Sequence, residues 1–136
     1  MGLANEISSA VKWDSPSVEM RDNLRTAITK MANSGVSALV VKSGDVVVGV
    51  VTDMDLMGCI ANGDDLDAVT ASKFMTSCEI ISDKKIKTPC VQLDETQSVE
   101  NAIGVMALAG VHHLLVAGEK GAGVISAQDL LRLVVD

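Results

Sequence analysis

Aromatic residues are nearly absent from this 136-residue chain, which has one Trp, one Phe and no Tyr. Stacking platforms for single-stranded nucleic acid or sugars need such rings, so that mode of recognition is effectively excluded. Positive charge is also scarce: Lys plus Arg number 11 against 18 Asp plus Glu, a formal charge of −7. Binding to a phosphate backbone relies on clustered Lys and Arg, so nucleic acid is not an expected partner. Any anionic ligand has to be held by local donors against the field of the whole chain. The three cysteines, Cys59, Cys78 and Cys90, are odd in number and lack CxxC spacing. Neither a disulfide framework nor a metal site is expected from them. The longest apolar stretch, Val46 to Val51, is interrupted by Gly49 and is too short for membrane insertion. Residues 1–12, with Asn5 and Glu6, lack the apolar run of a secretory signal, and Glu6 stands where a myristoylation motif wants Ser or Thr. A soluble, cytoplasmic protein is the expectation.

What is present is a core and a repeat. Hydrophobic residues make up 48% of the chain, enough for one compact domain or for two small repeats sharing a core. Leu24, Ala27, Ile28, Met31, Gly35, Val36 and Leu39 recur as Val99, Ala102, Ile103, Met106, Gly110, Val111 and Leu114, a displacement of 75. Gly49-Val50-Val51-Thr52-Asp53-Met54-Asp55-Leu56 recurs as Gly123-Val124-Ile125-Ser126-Ala127-Gln128-Asp129-Leu130, displaced by 74. One residue is expected to be lost in the turn between Val41 and Gly49.

Each copy reads as helix, strand, strand, helix. The spacing i, i+3, i+4, i+7 puts Leu24, Ala27, Ile28 and Met31 on one helix face. Asn23 and Ser98 suit the N-cap, and Gly35 and Gly110 suit the left-handed residue after the helix. β-Branched runs follow, from Ser37 to Val41 and from Val46 to Val51, around a Lys42-Ser43-Gly44-Asp45 turn; Gly118 to Gly121 makes the second turn. A second helix is predicted from about Asp53 to Ala61, stopped by Asn62-Gly63, with its counterpart from Ala127 onward. Extended entry strands precede the units, at Ser17 to Met20 and Val91 to Leu93. Leu3, Ile7, Ala10 and Val11 predict an additional amphipathic helix at the start. The chain therefore divides as 1–70, the first motif with its N-terminal helix, and 71–136, the second. The fold class is α/β (α+β).

These residues resemble a CBS domain pair. Met31 followed by Gly-Val-Ser-Ala-Leu-Val-Val, with Gly-Val-Val-Thr-Asp-Met-Asp-Leu, resembles one CBS motif. Gly-Val-His-His-Leu-Leu-Val, with Gly-Val-Ile-Ser-Ala-Gln-Asp-Leu-Leu, resembles the second, and Lys73-Phe74-Met75-Thr76 resembles the lead-in between them. Residues 77–89 are longer than expected there and carry Lys84, Lys85 and Lys87, read as an extra hairpin or a loop. The resemblance implies a pseudo-twofold module of two small sheets leaving two clefts, which takes adenosyl ligands such as AMP, ADP or ATP. It implies regulation through an effector protein rather than catalysis, with no required cofactor, and no catalytic, channel or DNA-binding domain is expected beside the pair.

Taken alone, Thr52…Asp55 and Ser126…Asp129 are capping boxes. Gly49 and Gly123, three residues earlier, would let backbone lie close to a bound ring, and the helix N-terminus suits a phosphate. By resemblance the Ser or Thr contacts phosphate and the Asp contacts ribose. His112 and His113 are adjacent on a predicted strand, so their side chains point to opposite faces and do not chelate one metal. Their ordinary reading is edge-strand polar residues; the resemblance has them reach phosphates. Ser37 and Ala38 replace them in the first copy. The second-motif cleft is thus expected to comprise Ser126, Asp129, His112, His113, Val124, Val36 and Ser37. The first-motif cleft, expected to bind more weakly, comprises Thr52, Asp55, Val50 and Val111. The valines are core by default and walls for adenine by resemblance. Two other functions compete: a ligand-free dimerisation scaffold, and a small enzyme, for which no nucleophile–base pair, P-loop or metal cluster stands out.

The helices from Asp53 and from Ala127 carry Leu56, Met57, Ile60 and Leu130, Leu131, Val134, more apolar surface than a thin core needs. A homodimer is expected. Light scattering at micromolar concentration is predicted to give twice the chain mass, and a monomer mass overturns the expectation.

Overall fold

The computed structural model describes residues 2–77, 80–81, 85–86, 92–119 and 121–135. Cys78, Cys90, Lys84 and Lys87 lie outside them. Two compact units emerge, residues 15–90 and residues 1–14 with 91–136. Each contains one repeat and its own core.

In the first unit a short strand β1 (Ser17–Glu19) leads into α1 (Leu24–Ser34). The Asn23 side chain accepts the Thr26 amide at 2.9 Å, and Gly35 ends the helix at φ 66°. This is the N-cap and left-handed stop that the residue types call for. Next come β2 (Ala38–Ser43), β3 (Val46–Thr52) and α2 (Asp53–Ala61), then the single turn α3 (Ala71–Phe74) and β4 (Thr76–Ser77). The sheet order is β1-β2-β3-β4, with β1 parallel to β2 and the other pairs antiparallel. Leu24, Ala27, Leu39, Val41 and Val51 are fully buried between sheet and helices.

The second repeat follows the same plan with β7 (Gln92–Asp94), α4 (Val99–Ala109), β8 (His113–Gly118), β9 (Gly121–Ser126) and α5 (Ala127–Val135). Ser98 caps α4 by accepting the Asn101 amide at 3.0 Å, and Gly110 has φ 68°. Between the repeats β5 (Ile80–Ile81) pairs antiparallel with β6 (Lys85–Ile86), so the inserted stretch contains a hairpin.

Two expectations change. The residue absent from the second repeat is not in the turn, since Ser43 pairs with Val46 as Gly118 pairs with Gly121. It is Val48: register slips between Val41 and Lys42, a bulge that β8 and β9 lack. The N-terminal amphipathic helix is one 3-10 turn, Ile7–Ala10. The N-terminal segment belongs to the compact unit of the second repeat, residues 1–14 with 91–136. Ile7 is fully buried and Val11 is 7% exposed in the core of that unit. Backbone pairing fixes the docking: Glu6 bridges Ser98, Lys12 bridges Val124, and the Lys12 amide reaches the Val124 carbonyl at 2.9 Å.

The same docking recurs in the first unit, where Thr70 bridges Asn23 and Thr76 pairs with Val50. Each repeat therefore receives the lead-in that precedes the other repeat in sequence. Leu56 and Leu130 belong to the cores, at 4% and 1% exposure; the uncovered apolar side chains are Met54, Met57 and Ile60 on α2 and Leu131 and Val135 on α5. Among the described residues, no helix is long and apolar enough to cross a membrane.

The glycines in β3 and β9 make the docking sterically feasible. A Cβ on Gly123 would meet Val11 Cγ1 at 2.6 Å and the Lys12 carbonyl oxygen at 2.9 Å. A Cβ on Gly49 would meet the Thr76 carbonyl oxygen at 2.7 Å. The space these glycines leave is therefore filled by the lead-ins, not kept for a ligand ring. Gly123→Ala is expected to lower stability in urea unfolding by about 1–3 kcal/mol, the cost of overpacking. Gly104→Ala, on α4 with open space around its Cβ, is the control and should stabilise by up to about 1 kcal/mol.

Candidate functional site

At the start of α5, β9 ends and the helix begins within one residue, so polar groups converge. Ser126 is the helix cap: its hydroxyl accepts the Asp129 amide at 3.1 Å, and Asp129 Oδ2 accepts the Ser126 amide at 3.1 Å. The first helical amide, on Ala127, donates to the His112 carbonyl at 2.8 Å. His113 lies opposite Ser126 in the β8–β9 register, one step beyond that anchor. Thus Ser126, Asp129, His112 and His113 occupy one end of the second repeat's sheet. His112 is exposed and precedes the strand, whereas His113 is half-buried in it. Among the described residues, no group of three His, Cys, Asp or Glu side chains is arranged to hold a metal.

The first repeat builds the same frame with fewer charges. Thr52 Oγ1 accepts the Asp55 amide at 3.3 Å, Asp55 Oδ2 accepts the Thr52 amide at 2.9 Å, and the Asp53 amide reaches the Ser37 carbonyl at 3.0 Å. Ala38 faces Thr52 where His113 faces Ser126. Both capping boxes expected from the residue types are therefore formed.

The valines divide between the units. Val50 and Val124, at 8% and 6% exposure, are buried core residues beside the two caps. Val36 and Val111 are half-buried and pack on the cores of their own units. Val36 and Ser37 belong to the unit of residues 15–90 and Val111 to the other, so the residues expected for each cleft are divided between the units.

Two residues that sequence reasoning did not single out lie beside Asp129. Lys12 Nζ lies 3.4 Å from Asp129 Oδ1, and Arg132 Nη1 lies 3.2 Å from the same oxygen. The Asp129 side chain is 8% exposed, while Lys12 and Arg132 remain 60% and 65% exposed. Arg132 follows Asp129 by three residues on one helix, a spacing that puts them on one face and was available to sequence reading. Lys12 is 117 positions away and arrives only because the N-terminal lead-in docks on β9. Among the described residues, no cation pairs with Asp55, because the corresponding positions hold Gly58 on α2 and Thr76 on β4.

Burial works to raise the Asp129 carboxyl, but hydrogen bonding by Ser126 and the Lys12 ammonium outweigh it, leaving the group below the ordinary value of 3.8. A carboxyl lowered on folding stabilises the fold at pH values above its unfolded pKa. That contribution is lost as pH falls through the lowered folded value. Asp129→Asn is expected to cost about 1–3 kcal/mol near pH 7. The gap between variant and parent should narrow in urea unfolding as pH falls below 3.8, and a gap that is constant across this range contradicts the assignment.

Comparison with known proteins agrees with this architecture. The CBS domain model matches twice, at residues 7–62 and 80–136. An uncharacterised 33.4 kDa protein in a ribosomal RNA operon of Thermofilum pendens is 30% identical over 126 residues. That match covers 91% of this chain but 38% of the relative, so the chain spans well under half of that protein. An uncharacterised conserved protein from Pyrococcus horikoshii superposes with a TM-score of 0.81 at 21% identity, covering 100% of this chain and 96% of the other. A CBS domain protein from Pyrobaculum aerophilum, complexed with AMP, superposes with a TM-score of 0.74 at 23% identity, covering 96% and 99%. The duplicated frame of helix, hairpin and capped helix, matched along most of its length, establishes that this chain belongs to the CBS domain family as a tandem pair.

Proposed function

We propose that this pair is a regulatory module that binds an adenine nucleotide (AMP, ADP, ATP or a related adenosyl ligand) and acts through a partner protein. The observation that carries the reading is the start of α5. There, the β8–β9 register brings His113 across from Ser126, and Ser126 and Asp129 share one capping box. Those are the polar residues that the family resemblance assigns to the second-motif cleft. The AMP complex of the similar Pyrobaculum aerophilum protein supports the ligand class. In this reading Asp129 accepts ribose hydroxyls, Ser126 and the α5 amides face phosphate, and His112 and His113 add donors. Val36, Ser37 and Val124 line the adenine. Thr52, Asp55, Val50 and Val111 form the weaker counterpart. The exposed apolar side chains on α2 and α5 are the contact surface of a homodimer, which is also how a ligand-free scaffold would use this fold.

Calorimetry with AMP and adenosine distinguishes these readings. Asp129→Ala should weaken both ligands, and Asp55→Ala should leave the tighter site almost unchanged. His113→Ala should weaken AMP more than adenosine by about tenfold, which corresponds to about 1.4 kcal/mol. Dimers that bind no adenosyl compound would favour the scaffold, and loss of the tight site in Asp55→Ala alone would reverse the assignment of the two clefts.

A further inference from the structure

We infer that Lys12 and Arg132 set the charge class of the ligand at the second repeat, making it a site for phosphorylated ribosyl compounds that discriminates against the neutral nucleoside. The inference rests on the adenosyl reading above and goes beyond it, because neither residue belongs to the repeat's cap or to the strand that carries the histidines.

The argument is a count of acceptor positions. An ionised carboxylate offers about four lone-pair positions, two on each oxygen. On Asp129, Oδ2 already accepts the Ser126 amide, and Oδ1 accepts from both Lys12 at 3.4 Å and Arg132 at 3.2 Å. One position remains. A ribose diol donates two hydroxyls, so at least one cation must leave Oδ1 when the sugar binds. Asp129 is almost fully covered, so a displaced ammonium or guanidinium leaves a buried anion for a new partner. A neutral nucleoside supplies no anion for the displaced cation. A phosphate on the same ribose does, and the Lys12 and Arg132 side chains are more than half exposed and therefore accessible to it. When phosphate is present the displaced cation exchanges its Asp129 contact for one to the ligand, and when it is absent the ligand offers no replacement.

The first repeat serves as the internal contrast. Asp55 Oδ2 accepts the Thr52 amide and, among the described residues, no cation occupies Oδ1. A diol binds there without displacing anything, so that half-site has no corresponding reason to reject adenosine.

Calorimetric titration of the full chain with adenosine and with AMP, at one ionic strength, tests the inference on Lys12→Met, Arg132→Met and the double variant. The parent is expected to prefer AMP. In the double variant adenosine should bind as tightly as before or tighter, AMP should weaken, and the AMP-to-adenosine preference should fall by about tenfold or more. Lys12→Arg should retain the preference. A purely structural role for the two cations would change both ligands by the same factor, and that result, or a preference unchanged in the double variant, overturns the inference while leaving the adenosyl reading intact. If the parent binds neither compound, the adenosyl reading falls and this inference falls with it.

Discussion

The close approach of a lead-in backbone to a glycine in the second hairpin strand of each repeat is the constraint on which the second repeat's organisation depends. Lys12 and Val124 exchange backbone hydrogen bonds across Gly123, and a Cβ at that glycine would overlap Val11 and the Lys12 carbonyl. Because this contact forms, Ile7 and Val11 fill a core belonging to a repeat that begins some ninety residues later in sequence. Because the strand is held in register, the Lys12 side chain reaches the first turn of α5. Without that approach the sheet would lose an edge partner, the core two apolar side chains, and Asp129 one of its two cations.

The two halves share a backbone plan but differ in electrostatics. Both helices after the hairpin begin with a reciprocal capping box, which satisfies amides that would otherwise lack partners. The box by itself is a folding device in both repeats. What separates them is the surrounding side chains: two histidines, a lysine and an arginine near one cap, against Ser37, Ala38, Thr76 and Gly58 around the other. In a chain of net charge −7, such a local cluster is what an anionic ligand requires, since the long-range field opposes its approach.

Much of the local structure was legible because it depends on neighbours in sequence. The helix from Asp53 to Ala61 has the expected bounds, set by Thr52 at its cap and Asn62-Gly63 at its end. Asn23, Ser98, Gly35 and Gly110 take their expected capping roles. Where expectation and structure part, the deciding interaction is long-range. The first apolar residues of the chain follow helix spacing, yet they form only one 3-10 turn before the chain is drawn into backbone pairing with Val124. The one-residue difference between repeats looked like a shortened turn, but strand register makes it a bulge at Val48. Gly49 and Gly123 looked available to a ligand because sequence does not reveal which chain segment lies against a strand.

By itself, then, the sequence determined the duplication, the element types, the caps and the identity of the paired hydroxyl and carboxylate residues, all of which follow from periodicity and short-range hydrogen bonding. Only the tertiary structure decided which lead-in joins which repeat, and hence that Asp129 is covered by Lys12 as well as by Arg132. The physical reason is separation along the chain. Arg132 lies one helical turn from Asp129, within reach of any reading of helix faces. Lys12 and Asp129 are 117 residues apart, and nothing in local propensity specifies a contact that forms when an apolar segment finds the one strand whose glycine admits its backbone.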